Sequence, residues 1–139
     1  MQNKEYKGVN RVTIAEVSEK FGISPDTLRY YERIGLIPPV NRNKSGIRDY
    51  TEEDCRWVEF IKCMRGAGLP IEALIEYVTL FQQGDETVEA RKELLIDQRN
   101  ELSARMEDMK KTLERLNSKI VRYEQTVVEK EKGLKKSQD

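Results

Sequence analysis

The sequence predicts a mainly α-helical chain: a winged helix-turn-helix domain followed by one long dimerisation helix. Three observations predict it. Two short capped helical segments flank a tight Gly-containing turn between Thr13 and Gly35. A polar segment from Val40 to Tyr50 follows a Pro38-Pro39 stop. From Leu102 onward the apolar residues step strictly four, three, four, three, for about four heptads.

Each element has its own signals. Residues 1–11 are polar and mixed in charge, and read as a flexible lead-in. Thr13 and Glu16 form a T-x-x-E capping box that starts the first helix, whose apolar stripe is Ile14, Val17 and Phe21. Gly22 ends it. Ser24-Pro25-Asp26 is a second start, with a capping serine, a proline suited to the first helical position and an acid that complements the dipole. This helix runs to about Ile34, with Leu28, Tyr31 and Ile34 on one face and Gly35 at the left-handed C′ position. Residues 40–50 read as a hairpin or wing with its tip near Lys44 to Gly46. Thr51 caps a third helix, in which Trp57, Phe60, Ile61 and Met64 are expected to face the core. Gly66 and Gly68 close it. Pro70 opens a fourth, carrying Leu74, Ile75, Val78 and Phe81.

The segment from Glu86 to Lys132 has neither proline nor glycine. Its seam is Leu102, Met106, Met109, Leu113, Leu116, Ile120, Tyr123 and Val127. At 1.5 Å per residue such a helix is roughly 70 Å long. No second long helix in the chain can receive this seam, so a second copy is expected to cover it. The expected organisation is residues 1–11 lead-in, 12–84 winged domain, 85–133 dimerisation helix and 134–139 tail.

Composition narrows the function class. The chain is 36% charged and 37% hydrophobic, which suits a small core attached to a solvated extension. The absence of histidine removes the commonest general base and metal ligand. Among enzyme signatures there is no phosphate-cradling Gly-rich loop and no nucleophile–histidine pair. Neither metal nor cofactor is expected. Cys55 and Cys63 stand eight apart on one helix, roughly 12 Å along its axis, too far for a disulfide. A reduced, cytoplasmic chain is expected. No apolar run approaches the roughly 18 residues needed to span a membrane.

The net charge is zero, from 25 basic and 25 acidic residues, but the charge is unevenly placed. Between Thr27 and Arg48 five cations (Arg29, Arg33, Arg42, Lys44 and Arg48) face one acid, Glu32. Asp26, Thr27, Arg29, Tyr30 and Arg33 lie on the outward side of the second helix. A basic helix face and a basic wing in one stretch fit the phosphates and base edges of duplex DNA.

Leu28-Arg29-Tyr30-Tyr31-Glu32, Gly35-Leu36-Ile37 and Gly46-Ile47-Arg48-Asp49-Tyr50 resemble, in order and spacing, the DNA-binding domain of the MerR family. The resemblance covers about residues 12–81, and the trailing coiled coil is similar too. It implies a homodimer joined by an antiparallel coil and bound to a palindrome in an overlong promoter spacer. It also implies activation by bending and untwisting that spacer so that RNA polymerase engages both promoter elements. By the same resemblance the DNA contacts are expected at Thr27, Arg29, Tyr30, Arg33, Lys44, Ser45, Arg48 and Tyr50.

Metal-sensing members carry cysteines at the start of the dimerisation helix and beyond it, whereas this chain has none after Cys63. Multidrug-sensing members have a large C-terminal ligand domain, and with the given sequence ending after the coil a role of that kind is not expected. The segment from Trp57 to Arg65 resembles the small subgroup that responds to reactive aldehydes, electrophiles or thiol stress, with Cys63 as its sensor. Lys62 and Arg65 are near Cys63 in sequence, and positive charge favours a thiolate. Against this, Cys63 could be a buried small residue. Cys55, in an acidic first turn, is the weaker candidate. Two rival readings stay open: a regulator that senses a small ligand without thiol chemistry, and a coiled-coil scaffold.

Overall fold

A computed structural model describes residues 11–138, with side chains described as far as residue 134. The lead-in predicted for residues 1–11 lies, apart from Arg11, outside the described residues. The chain divides into two units, Met1–Gln98 and Arg99–Asp139.

Among the described residues the first unit holds five helices in chain order: α1 (Ile14–Phe21), α2 (Pro25–Arg33), α3 (Glu52–Gly66), α4 (Ile71–Gln83) and the start of α5 (Val88–Gln138). The predicted caps form. Thr13 and Glu16 make the reciprocal capping box of α1, and the Ser24 hydroxyl accepts from the Thr27 amide at the start of α2. Thr51 caps α3 with Asp54 as its reciprocal partner. These caps satisfy backbone donors that a helix start leaves open. Gly35 adopts φ 86°, which lets the Leu36 amide turn back to the Tyr31 carbonyl at 2.8 Å.

The turn after α2 delivers Leu36 and Ile37 into the core, where both are 1% exposed. They meet Val17 of α1, Leu28 of α2, Val58 and Ile61 of α3, and Leu74 of α4. On α3 the fully buried pair is Val58 and Ile61. Of the four α3 residues expected to face the core, Trp57, Phe60 and Met64 pack only partly buried against it. Trp57, Phe60, Tyr77 and Phe81 instead form an aromatic cluster between α3 and α4, with ring centroids 5.0–6.1 Å apart.

A short 3-10 turn, Asp85–Thr87, links α4 to α5. The buried Thr87 hydroxyl lies 2.6 Å from the Leu80 carbonyl oxygen and accepts from Arg91 Nε at 3.0 Å. The Arg91 guanidinium also lies over the Phe81 ring. One threonine and one arginine thus tie the first turns of α5 to the end of α4.

The second unit consists of the remainder of α5. The helix continues through Gly133 to Gln138, across the segment expected to be a tail. Glycine weakens a helix by about 1 kcal/mol relative to alanine but does not by itself end one.

Candidate nucleic-acid interface

The helix-turn-helix and the wing come from one stretch of chain. α2 presents Arg29, Tyr30 and Arg33 on its exposed side, while Leu28 is fully buried. The Arg33 guanidinium lies 5.4 Å from the Tyr30 ring centroid, and Tyr30 is 40% exposed. Arg29 donates to Asp26 at 2.8 Å within the first turn. Thr27 is half-buried, and its hydroxyl accepts from the capping Ser24 hydroxyl. Thr27 therefore has a local role in the helix start.

The wing is held by two antiparallel bridges, Arg42 with Arg48 and Val12 with Tyr50. Its tip is an Asx turn. The Asn43 carboxamide oxygen accepts from the Ser45 amide at 2.9 Å and the Ile47 amide at 3.1 Å. Gly46 takes φ 79°, a conformation that disfavours other residues. Arg42 donates to the Gly46 carbonyl at 2.9 Å across the tip. Lys44, Ser45 and Arg42 are exposed there. A basic helix face and a basic tip thus flank the turn from Gly35 to Val40.

Two of the expected contacts have different surroundings from those the sequence suggested. Arg48 is only 18% exposed, and its Nε donates to Glu32 Oε1 at 2.6 Å. Among the described residues its Nη1 and Nη2 have no protein acceptor, and neither is buried. Tyr50 is corrected outright: its side chain is 0% exposed and packs in the core. The bridge to Val12 fixes Tyr50 facing inward. Its hydroxyl has no hydrogen-bond partner, and burial pushes its pKa up, with Arg48 opposing. Tyr50 supports the wing from beneath and offers no side chain to DNA.

Comparison with known proteins gives the same architecture a family. The MerR HTH family of regulatory proteins matches residues 12–80, and the MerR DNA-binding family matches residues 55–119. A MerR family transcriptional regulator from Listeria monocytogenes has a similar structure, with a TM-score of 0.85 and 52% identity, covering 89% of this chain and 94% of that one. The chain belongs to the MerR family of helix-turn-helix regulators.

Among relatives of this MerR chain, the regulator AdhR of Bacillus subtilis is 67% identical over 91 residues. That match covers 66% of this chain and 65% of AdhR. HiNmlR, described as a MerR family regulator lacking the sensor domain and bound to promoter DNA, superposes with a TM-score of 0.76 at 30% identity. It covers 83% of this chain and 91% of that one.

The MerR chain's two cysteines differ in exposure. Cys63, on α3, is exposed within this chain rather than packed in its core. The cations expected to act on it are held elsewhere. Lys62 Nζ donates to the Phe21 carbonyl at the end of α1, and Arg65 Nη1 donates to the Leu69 carbonyl at 2.6 Å. Both serve as caps for chain reversals, the role cations take at helix C-termini. Cys55 is half-buried. Burial pushes its thiol pKa up, Asp54 and Glu52 add to that, and Lys20 opposes them.

The sequence reading missed Glu32, which contacts the wing 16 residues away. The available signal was its being the lone acid in a run of cations. The predicted seam residues Met106, Met109, Leu113, Leu116, Ile120, Tyr123 and Val127 are 53–70% exposed, and Leu102 is half-buried. Val121, Val128 and Leu134 are exposed as well and lie outside the predicted seam.

Proposed function

We propose that this chain is a cytoplasmic, homodimeric transcription regulator that binds duplex promoter DNA through α2 and the wing. The observation that carries this reading is one contiguous stretch, Arg29 to Lys44, that presents cations on both a helix face and a hairpin tip. The likeness to a relative bound to promoter DNA supports it. The seam from Leu102 to Val127 serves a second copy of the chain, in an antiparallel coil. The dimer activates by distorting the promoter spacer so that RNA polymerase engages both elements. Arg29, Tyr30, Arg33, Lys44, Ser45 and the terminal nitrogens of Arg48 touch the duplex, with Arg42 beside them.

The input is a reactive aldehyde or related electrophile at Cys63. The thiol adds across a carbonyl, sulfur to carbon and proton to oxygen, giving a hemithioacetal without a leaving group. The exposure of Cys63 on α3 supports this role. A group added to this exposed thiol changes the surface of α3 and so biases how α3 meets its neighbours.

Two measurements test the parts separately. A gel shift on the region upstream of the chain's own gene is expected to show binding that weakens steeply with salt. No shift at low salt sinks the regulator reading. A reporter strain carrying Cys63→Ser is expected to lose induction by formaldehyde or methylglyoxal. Full induction sinks the sensor while leaving DNA binding intact.

A further inference from the structure

Glu32 is an acid in the middle of a surface that must approach phosphates, so on charge alone it opposes binding. Its contacts suggest why it is there. Oε1 accepts from Arg48 Nε at 2.6 Å, and Oε2 accepts from the Val40 amide at 2.9 Å. The carboxylate side chain is 15% exposed and that of Arg48 is 18% exposed. Val40 lies at the entry to the wing and Arg48 on its return, so one carboxylate grips both legs from α2. Val40 itself is only 6% exposed and follows two prolines, which have no amide hydrogens to offer. Without Glu32 the amide of this buried residue is a donor lacking this acceptor.

The arginine side of the clamp matters most. A guanidinium is planar, and its donors point in fixed directions. Occupying Nε with a carboxylate fixes the plane and leaves the Nη1 and Nη2 edge, which reaches solvent without a protein acceptor among the described residues. That edge matches two oxygens of a phosphate. We infer that Glu32 is a positioning residue for DNA recognition, one that clamps the wing to α2 and orients the Nη edge of Arg48 toward a backbone phosphate. This rests on the DNA-binding reading above.

The sign of the expected effect separates this role from simple electrostatics. Glu32→Gln removes one negative charge, which by itself strengthens attachment to any duplex. Two probes are needed: a duplex selected by the wild-type chain from a random pool, and a scrambled duplex of the same length. Glu32→Gln is expected to weaken the selected duplex by about tenfold, the scale of a charge-assisted contact, and the scrambled duplex by less, because the phosphate contact is shared but its fixed geometry is used fully only where the docking register is fixed. In an Arg48→Ala background the same change is expected to cost the selected duplex less than about twofold, since the two residues act as one unit. Arg48→Lys keeps the charge but lacks the fork, and is expected to lose about tenfold on the selected duplex without a drop in Tm. The inference is overturned if Glu32→Gln binds the selected duplex as tightly as wild type, or if Arg48→Lys does. It is equally overturned if Glu32→Gln loses both duplexes in step with a lowered Tm, which marks a purely structural residue. A wild-type chain that cannot tell the two duplexes apart removes the DNA-binding reading, and this inference with it.

Discussion

Between Val17 and Val78 twelve apolar side chains are buried, and nine of them are less than 2% exposed. Between Met106 and Leu134 ten apolar side chains are exposed, from 47% to 70%. Six of the first set stand on short helices and six on the turns and wing between them, whereas the second set comes from one helix with regular apolar spacing. The difference is in the number of neighbours available within one chain. The first unit brings four short helices together around Leu36 and Ile37, so each stripe meets another. The second unit is a single helix, and a single helix has nothing to pack against. Helical propensity is a weak source of stability in water, and packing supplies most of it. An apolar helix stripe therefore means a finished core in one unit and a demand for a partner in the other.

The sharpest way to break that contrast is to make the seam polar. Leu113→Asp combined with Leu116→Asp removes four leucines from a symmetric dimer. At about 1.5–3 kcal/mol for each buried leucine, the association loses on the order of 6–12 kcal/mol. The variant is expected to sediment as a monomer at micromolar concentration and to lose helical circular dichroism. A persistent dimer of full helicity means that some other surface joins the copies. Operator binding is expected to fall with dimerisation, because paired half-sites need paired domains.

Much of this contrast could be read from the residues. Thr13, Ser24 and Thr51 announced three helix starts through side-chain chemistry that acts within three residues. Gly22 and Gly35 announced two ends in the same local way. The seam was legible because its meaning depends on the absence of a second long helix, and that absence can be read along the chain. The contacts made over long sequence distances were not legible. Arg48 and Tyr50 were both expected at the DNA through resemblance to the family, and nothing in their local sequence sets them apart. The bridge from Tyr50 to Val12 spans 38 residues and carries the tyrosine into the core instead. The Lys62 link to Phe21 spans 41 residues, and it redirected a cation that sequence proximity had assigned to Cys63. On α3 the apolar residues spread around the helix, so the buried Val58 could not be told from the half-buried Trp57.

Tyr50 is an exception within the well-packed unit, since its buried hydroxyl lacks a hydrogen-bond partner. A buried polar atom without a partner carries a desolvation penalty of about 1–3 kcal/mol. Tyr50→Phe keeps the ring and removes that atom. It is expected to stabilise the first unit by about 1 kcal/mol in denaturant unfolding and to leave DNA affinity unchanged. A loss of affinity at unchanged stability restores Tyr50 as a contact and contradicts its position beneath the wing.

The smallest effect is expected at Val121 and Val128, and it refines what exposure means in the second unit. Both are as open as their seam neighbours, at 49% and 47%. Their positions differ. At 100° per residue they stand about 130° around the helix from the line joining Leu116, Ile120 and Tyr123. A partner lying on the seam does not reach that side. Val121→Gln with Val128→Gln is therefore expected to change dimer stability by no more than about 0.5 kcal/mol, the usual range for surface substitutions. Ile120→Gln with Val127→Gln, which removes neighbouring side chains on the seam, is expected to cost several-fold more. The two doubles carry the same polar load on the same two turns, so unequal losses measure the direction in which the partner lies. Equal losses reject a two-stranded seam and mean that the helix is covered on more than one side.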